Sequence, residues 1–249
     1  MAWSLDELIF PTHAVAPADP LPPDAERLTL DAPGGVKLHG VHIPPADRSD
    51  GPRTLVIGFG GNAWNGENVA SYLHQLYSEA DVIAFHYRGY RPSTGRPSAD
   101  ALVEDAPLAL DLAIERVKPE RVVAVGFSIG SGVAASLAKR SELDGLVLVT
   151  PFDSLKSVAR DLYPWVPGLT LAFRHELDAA AALKGTRVPT AILAAEFDEI
   201  VPASRTEALR RQAPNLVFDR TIGGAGHNDI YARSDFHQAM REALRAVTA

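Results

Sequence analysis

Three residues of this chain have the types that acyl transfer to a serine requires. Ser128 lies within Gly126-Phe-Ser-Ile-Gly130. Asp198 follows an apolar run, and His227 lies in a glycine-rich stretch late in the chain. A serine hydroxyl is a poor nucleophile near neutral pH, so a histidine must take its proton and a carboxylate must orient that histidine. We therefore predict Ser128 as the nucleophile, His227 as the general base and Asp198 as the orienting acid.

The surroundings of Ser128 are typical of a strand that turns sharply into a helix. The β-branched run Val122-Val-Ala-Val125 precedes it, and small residues follow it between 131 and 138. At such a turn the positions two before and two after the serine come so close together that glycine fits best. Gly126 and Gly130 occupy these positions, so we expect the serine hydroxyl to project above the sheet.

The choice of the acid has alternatives. Asp153 also ends an apolar run, in Thr150-Pro-Phe-Asp-Ser154, and is the reserve for Asp198. Asp229 lies two residues after His227 and could be only a helix N-cap.

The oxyanion that forms during acyl transfer needs fixed hydrogen-bond donors. We assign this role to two backbone N–H groups, that of Ile129 directly after the nucleophile and that of Asn62 in Gly60-Gly-Asn-Ala63. The two glycines could also form only a turn, although that turn follows a run predicted as a buried strand. No spacing of His, Asp and Glu suggests a metal site, and we expect no cofactor.

Positioning these residues requires strands that end at one edge of a sheet. Short apolar runs predict strands buried on both faces, and helical segments between them predict parallel pairing. The runs are 55–57, 82–85, 122–125, 146–149, 191–195 and 216–218. Residues 26–30 and Val36–Ile43 alternate apolar with polar side chains, which predicts an antiparallel hairpin of two edge strands. The expected fold is a mostly parallel, eight-stranded α/β sheet flanked by helices.

The remaining chain is predicted as helices and connections within one domain. Helical patterns cover 69–77, 102–117, 130–139, 204–212 and 234–247. Pro107 predicts a first-turn position or a kink in the second of these. Residues 1–25 are predicted as an extended lead-in and 26–249 as a single domain. The stretch 153–188 shows no clear strand and fits either an irregular helical connection or a short lid over an acyl pocket.

Composition narrows the classes of function. The 249 residues carry a formal net charge of -7 without any block of Lys or Arg, which argues against nucleic-acid binding. The chain contains no cysteine, so disulfides, thiol catalysis and thiolate metal sites are excluded. Asp6 and Glu7 interrupt the N-terminal apolar stretch, which does not predict a signal peptide, and no run reaches the roughly 20 apolar residues of a membrane span. We expect a soluble, cytoplasmic protein.

Taken together, the motifs resemble the α/β-hydrolase superfamily, and within it the small serine hydrolases of the ABHD type without a large inserted cap. The similarity runs from about Leu28 to the C-terminus. The matching segments are Phe59-Gly-Gly-Asn-Ala63, Tyr87-Arg-Gly-Tyr90 with Ser93, Gly95 and Pro97-Ser98, Gly126-Phe-Ser-Ile-Gly-Ser-Gly132, Thr150-Pro-Phe-Asp-Ser154, Asp198-Glu-Ile-Val-Pro202 and Gly226-His-Asn-Asp229. The resemblance implies a triad of Ser128, Asp198 and His227 that hydrolyses a carboxylic ester or related acyl compound through an acyl-enzyme.

Two positions depart from the family pattern. Gly60 stands where the family usually has the histidine of its oxyanion loop, and Arg91-Pro92 replaces the glycine that commonly follows Tyr-Arg-Gly-Tyr. Losing the histidine removes a side chain that supports the loop but leaves the backbone donors. The departure therefore concerns the rigidity of the loop more than the class of reaction.

The expected partner is a small-molecule acyl substrate. Amidase, thioesterase or acyltransferase activity would use the same residues, because the turn around Ser128 does not select the leaving group. A non-catalytic ligand-binding or scaffold protein on the same fold is the alternative from another class, since fold alone does not imply function.

Overall fold

A computed structural model describes residues 9–47, 51–165 and 177–249 of the protein. Each of the eight predicted strands is present. They are β1 (Glu26–Ala32), β2 (Val36–Ile43), β3 (Thr54–Phe59), β4 (Asp81–Phe85), β5 (Arg121–Phe127), β6 (Gly145–Val149), β7 (Thr190–Ala195) and β8 (Leu216–Ile222). Their order in the sheet is β1-β2-β4-β3-β5-β6-β7-β8. The prediction of an eight-stranded, mostly parallel sheet with an N-terminal antiparallel hairpin is confirmed.

The helices between the strands also match the predicted pattern. Among the described residues they are α1 (Gly66–Leu76), α2 (Ala99–Val117), α3 (Ile129–Arg140), α4 (Leu155–Leu162), α5 (Ala179–Lys184), α6 (Ala203–Arg210) and α7 (Ser234–Val247). Helix α2 continues through Pro107, so the expectation of a first-turn position is wrong, and the alternative, a kink at the proline, stays a prediction. The buried face of α2 includes Ala106 before the proline and Ala109 and Leu110 after it.

Contacts between Cα atoms divide the chain into two compact units, Met1–Val123 and Ala124–Ala249. The single domain over 26–249 stays a prediction. In the first unit β2 pairs antiparallel with both β1 and β4, and β3 pairs parallel with β4. The expectation that both hairpin strands lie at an edge is therefore wrong for β2. Its pairing with β4 joins residues about 40 positions apart, which an alternating local pattern does not reveal.

The lead-in before β1 packs on the start of α1. Phe10 is buried at 2% exposure. Asn65 caps α1 by accepting from the Asn68 N–H, and its amide donates to the Ala16 carbonyl oxygen at 3.1 Å. The Asp19 N–H donates to Asn68 Oδ1 at 2.8 Å. These bonds tie the proline-containing segment to the first turn of the helix.

The second unit holds the carboxyl-terminal strands and the helices that cover them. Strands β6, β7 and β8 pair in parallel. Helix α7 buries apolar residues at three- and four-residue spacing, as its sequence pattern predicts. They are Phe236, Ala239, Met240, Ala243 and Val247.

The stretch 153–188 is described at both of its ends. Helix α4 begins after Ser154, whose hydroxyl accepts from the Ser157 N–H, and α5 begins after Asp178, whose carboxylate accepts from the Ala181 N–H. Residues 166–176, which carry the centre of the predicted connection or lid, lie outside the described residues. The N-terminal residues that argued against a signal peptide, 1–8, also lie outside them. No helix of the described ranges combines the length and apolar character that a membrane crossing requires.

Candidate active site

Ser128 occupies a strained turn between β5 and α3. Its φ of 50° and ψ of -116° are unusual for a residue with a side chain. A Cβ atom at Gly126 would lie 2.3 Å from the Gly130 carbonyl oxygen, so glycine is required there. The Ser128 N–H donates to the Val149 carbonyl oxygen at 2.9 Å, and the Ser131 hydroxyl donates to the Ser128 carbonyl oxygen at 2.6 Å. The backbone of the turn is therefore held from both sides.

The structure brings the three predicted side chains together. Ser128 Oγ lies 3.0 Å from His227 Nε2, and His227 Nδ1 lies 2.9 and 2.8 Å from the two carboxylate oxygens of Asp198. The side chains of His227 and Asp198 are each 7% exposed. Because a carboxylate only accepts, Nδ1 carries the proton in this arrangement, and Nε2 can accept from the Ser128 hydroxyl.

Asp198 is held by the turn that follows β7. Its Oδ1 accepts from the Ile200 N–H at 3.0 Å and from the Val201 N–H at 2.7 Å, which fixes the carboxylate relative to the strand end. The reserve acid Asp153 instead forms an ion pair with Arg205 at 3.1 Å. The partner of His227 in this structure is thus Asp198.

The loop that carries His227 is held through its backbone by three carboxylates. The contacts are Glu196 Oε2 with the Gly224 N–H at 2.7 Å, Glu199 Oε2 with the His227 N–H at 3.0 Å, and Asp229 Oδ1 with the Gly226 N–H at 2.7 Å. The bond from the His227 backbone lowers the pKa of Glu199. Asp229, considered above as only a helix cap, thus supports the loop, and Glu199 is a residue that the sequence reasoning missed.

Aromatic rings pack beside the turn that carries Ser128. The ring of Phe127, directly before the serine, packs edge-on against Tyr231 at 5.8 Å between centroids. Burial raises the pKa of Tyr231 to about 12, so its phenol stays neutral at physiological pH. Phe127 is fully buried, so this ring pair packs the residue before the serine into the interior.

Backbone strain recurs where loops leave the strands. Positive φ angles occur at Ala63 (58°), Ser128 (50°) and Thr150 (45°). Thr150 is a β-branched residue and follows β6 directly, and its N–H donates to the Leu193 carbonyl oxygen at 2.8 Å. Such angles persist only where surrounding contacts impose them, and they concentrate at functional sites.

The two proposed oxyanion donors lie in different units. Ile129 is the first residue of α3, so its N–H belongs to the first turn, whose amides have no acceptor within the helix. Asn62 lies in a turn of the first unit in which the Trp64 N–H donates to the Gly61 carbonyl oxygen at 3.2 Å. The side chain of Asn62 accepts from the Tyr90 hydroxyl at 2.9 Å.

The departure at Gly60 has a steric reason. A Cβ atom there would lie 2.8 Å from Val69 Cγ2 on α1 and 3.2 Å from the Trp64 carbonyl oxygen. The space that a histidine side chain would need is therefore filled by the first helix. In the described ranges, no group of three or more His, Asp or Glu residues could hold a metal ion.

Comparison with known proteins assigns the class that the fold and this cluster define. A family model for the alpha/beta hydrolase fold matches residues 55–184, and the chain belongs to this family. It is 32% identical over 233 residues to an uncharacterized protein of Mycobacterium tuberculosis, covering 91% of this chain and 82% of that protein. It is also 27% identical over 195 residues to the lysophosphatidylserine lipase ABHD12 of Danio rerio, covering 66% of this chain and 50% of the lipase.

Solved structures show the same fold. An esterase of Pyrococcus furiosus matches 100% of this chain and 95% of its own with a TM-score of 0.73 at 16% identity. A thermophilic esterase of Thermogutta terrifontis matches 90% of this chain and 100% of its own with a TM-score of 0.67 at 21% identity. The predicted resemblance to the α/β-hydrolase superfamily, with ABHD-type relatives, is confirmed. Fold and relatives together support hydrolase activity.

Proposed function

We propose that the protein is a serine hydrolase that cleaves carboxylic esters through an acyl-enzyme. The observation that carries this proposal is the continuous hydrogen-bonded path from Ser128 Oγ through the imidazole of His227 to Asp198, with contacts of 3.0 Å and 2.8 Å. The strained backbone of the serine, which is itself partly exposed, adds to it. This combination is what activates a serine hydroxyl near neutral pH.

In the proposed first half-reaction Ser128 Oγ attacks the ester carbonyl carbon. The hydroxyl proton moves to His227 Nε2 as the Oγ–C bond forms, and Asp198 stabilises the imidazolium through the Nδ1–H bond. The carbonyl oxygen becomes an oxyanion, for which we propose the N–H groups of Ile129 and Asn62 as donors. The imidazolium then returns the proton to the alcohol oxygen as the C–O bond breaks, which leaves the acyl group on Ser128.

In the second half-reaction water replaces the alcohol. His227 Nε2 takes a proton from the water as its oxygen attacks the acyl carbon, and the same donors stabilise the second oxyanion. Collapse of this intermediate breaks the Oγ–C bond, returns the proton to Ser128 Oγ and releases the carboxylic acid. The enzyme is thus regenerated without a cofactor.

The relatives and the charge of the chain favour a small acyl ester as the substrate. Esterases share the fold, and a lysophosphatidylserine lipase is among the relatives by sequence. The formal net charge of -7 favours an uncharged small acyl substrate over a nucleic acid. We also propose a cytoplasmic location.

An amide, a thioester or a second alcohol as acyl acceptor would use the same residues. A series of substrates that share one acyl group and differ in the leaving group tests which of these bonds the protein cleaves.

The Ser128→Ala variant tests the proposal. With a short-chain nitrophenyl ester we expect kcat to fall by roughly ten-thousand-fold or more, because the nucleophile is removed. Ser141→Ala, at the C-terminal end of the same helix, is the matched control and should keep wild-type turnover. A fluorophosphonate probe should label the wild type at Ser128 only. A ligand-binding or scaffold protein would neither turn over the ester nor label there, and unchanged turnover in Ser128→Ala would refute the proposal.

A further inference from the structure

We propose that Tyr87 and Tyr90 are positioning residues that hold the oxyanion loop, defined here as residues 60–63, in its working geometry. The inference rests on the proposed function, because it assigns the backbone N–H of Asn62 as an oxyanion donor. It names two side chains outside the loop that hold the loop by hydrogen bonds.

Both phenol groups bond directly to the loop. The Tyr87 hydroxyl donates to the Gly60 carbonyl oxygen at 2.8 Å. The Tyr90 hydroxyl donates to Asn62 Oδ1 at 2.9 Å and accepts from the Ala63 N–H at 3.4 Å. The two tyrosines therefore contact the loop before, at and after its central asparagine.

The loop needs support from outside because its own residues provide little. Gly60 has no side chain, and Val69 fills the space where one would extend. Ala63 is held at a positive φ of 58°, a conformation that surrounding contacts must impose. Asn62 is exposed, so packing does little to orient its side chain. Its side chain is oriented by the hydrogen bond from the Tyr90 hydroxyl. The direction of the Asn62 N–H therefore depends on the two phenols.

The tyrosines are themselves fixed in the first unit. Tyr90 is completely buried, and its ring packs edge-on against that of Tyr87 at 5.7 Å between centroids. The Ser93 hydroxyl accepts from the His39 N–H at 2.9 Å on β2 and donates to the His86 carbonyl oxygen at 2.9 Å. The segment that carries both phenols is thereby bonded to the sheet.

Two further contacts hold this segment. Arg88, between the two tyrosines, forms an ion pair with Asp105 on α2, with Nε 2.9 Å from the carboxylate. Thr94 exchanges two bonds with Lys37 of β2, since its N–H donates to the Lys37 carbonyl oxygen at 2.9 Å and its hydroxyl accepts from the Lys37 N–H at 2.8 Å. A rigid path therefore runs from the sheet and α2 through the phenols to the loop.

Burial keeps both phenols protonated. It raises the pKa of Tyr87 well above its usual range and raises that of Tyr90 to about 12, although the Ala63 N–H acts in the opposite direction on Tyr90. Each hydroxyl therefore remains a donor across neutral and mildly alkaline pH.

The proposal predicts an effect on kcat rather than on KM. A misdirected Asn62 N–H loses its bond to the oxyanion, which exists only in the transition state and the tetrahedral intermediate. Ground-state binding of the ester is unaffected. We expect Tyr90→Phe, which keeps the ring and removes one oxygen atom, to lower kcat about 10- to 100-fold with KM within about twofold of wild type.

A double-mutant cycle separates positioning from general structural damage. Asn62→Ala keeps the backbone donor and removes the acceptor of the Tyr90 hydroxyl. If the Tyr90–Asn62 hydrogen bond acts as one unit, each single variant shows most of the fall in kcat, and the double variant lowers kcat little further. The affinity for a boronic acid, which forms a tetrahedral adduct on the serine, should fall by the same factor as kcat. Tyr77→Phe, another buried tyrosine of the first unit, should leave kcat unchanged.

The outcomes distinguish this inference from the proposed function. A kcat of Tyr90→Phe equal to that of the wild type, or purely additive effects in the double-mutant cycle, would overturn the inference. The proposed function would still stand if turnover by the wild-type protein depended on Ser128. Absence of Ser128-dependent turnover in the wild type would overturn both. Thermal unfolding of each variant reports folding, and Tyr87→Phe provides a second removal of a loop contact if Tyr90→Phe does not fold.

Discussion

At the level of single residues, the side chains proposed for catalysis are held by neighbours that take no part in the proposed reaction. Ser128, Asp198 and His227 stand after apolar runs in an order that fits acyl transfer, and the structure places them within 3.0 Å of one another along the path of hydrogen bonds. Glu199 has no such signal. It is an exposed glutamate, and its role arises only from the fold that brings it to the His227 backbone.

Glu199 offers a test of how the base is positioned. Glu199→Ala removes the acceptor of the His227 N–H, so we expect kcat to fall about threefold to tenfold because the imidazole is held less firmly. Glu199→Gln keeps an oxygen acceptor and should recover most of the activity. Steady-state kinetics on one ester, with kcat and KM determined separately, measures both effects.

Glu196→Ala is the matched control for this experiment. Glu196 holds the same loop at the Gly224 N–H, three residues before His227. Its loss should affect kcat less than the loss of Glu199. Equal effects of the two alanine variants, or no recovery with glutamine, would contradict a specific role of Glu199.

At the level of elements, an ion cluster joins the end of β2 to the starts of β3 and β4. Asp81 begins β4 and accepts from His42 Nε2 on β2 at 2.7 Å and from Arg53 Nε, just before β3, at 2.9 Å. Burial alone would raise the pKa of Asp81, but the bonds to His42 and Arg53 outweigh it, and the pKa is lowered. The cluster therefore favours the ionised carboxylate in the folded state.

The sign of this shift predicts a loss of stability in acid. A carboxyl group whose pKa is lower when folded stabilises the protein above its unfolded pKa of about 3.9, and the contribution is lost as the pH falls through the folded value. Asp81→Asn should therefore reduce the free energy of unfolding by about 3 kcal/mol near pH 7. Urea unfolding should show the difference from wild type shrinking below about pH 4.

Asp31→Asn serves as the control for the acid effect. Asp31 pairs with Lys37 at 2.8 Å but its side chain is 81% exposed. The loss of the Asp31 carboxylate should change the free energy of unfolding by less than about 1 kcal/mol, both near pH 7 and below about pH 4. A loss as large as that of Asp81→Asn, or a difference for Asp81→Asn that is independent of pH, would contradict the assignment.

Elements were predicted from the sequence wherever local periodicity decides them. Strand β2 and helix α7 have the predicted bounds, because alternating and three- to four-residue apolar spacings each allow one buried face. The pairing of β2 with β4 was not predicted, because it joins residues distant in the chain and no local pattern records it. At Pro107 the sequence left a first-turn position and a kink open, and the structure excludes the first-turn position.

At the level of the whole molecule, family membership and reaction class rest on different observations. The family model covers 55–184, and relatives by sequence extend over most of the chain. Structural similarity to esterases at 16% to 21% identity shows the fold alone. The proposal of ester hydrolysis therefore depends on the geometry at Ser128 rather than on the relatives. The acyl group could not be predicted from the sequence, because no local pattern records which side chains the fold brings near Ser128.

The most direct test of the central claim is the detection of the acyl-enzyme. During turnover of a slowly deacylating nitrophenyl ester, rapid quenching followed by peptide mass spectrometry should show the acyl mass on the peptide that contains Ser128. The same adduct should be absent from Ser128→Ala. Ester hydrolysis at the wild-type rate without any adduct at Ser128, or with the acyl group on another residue, would contradict the account.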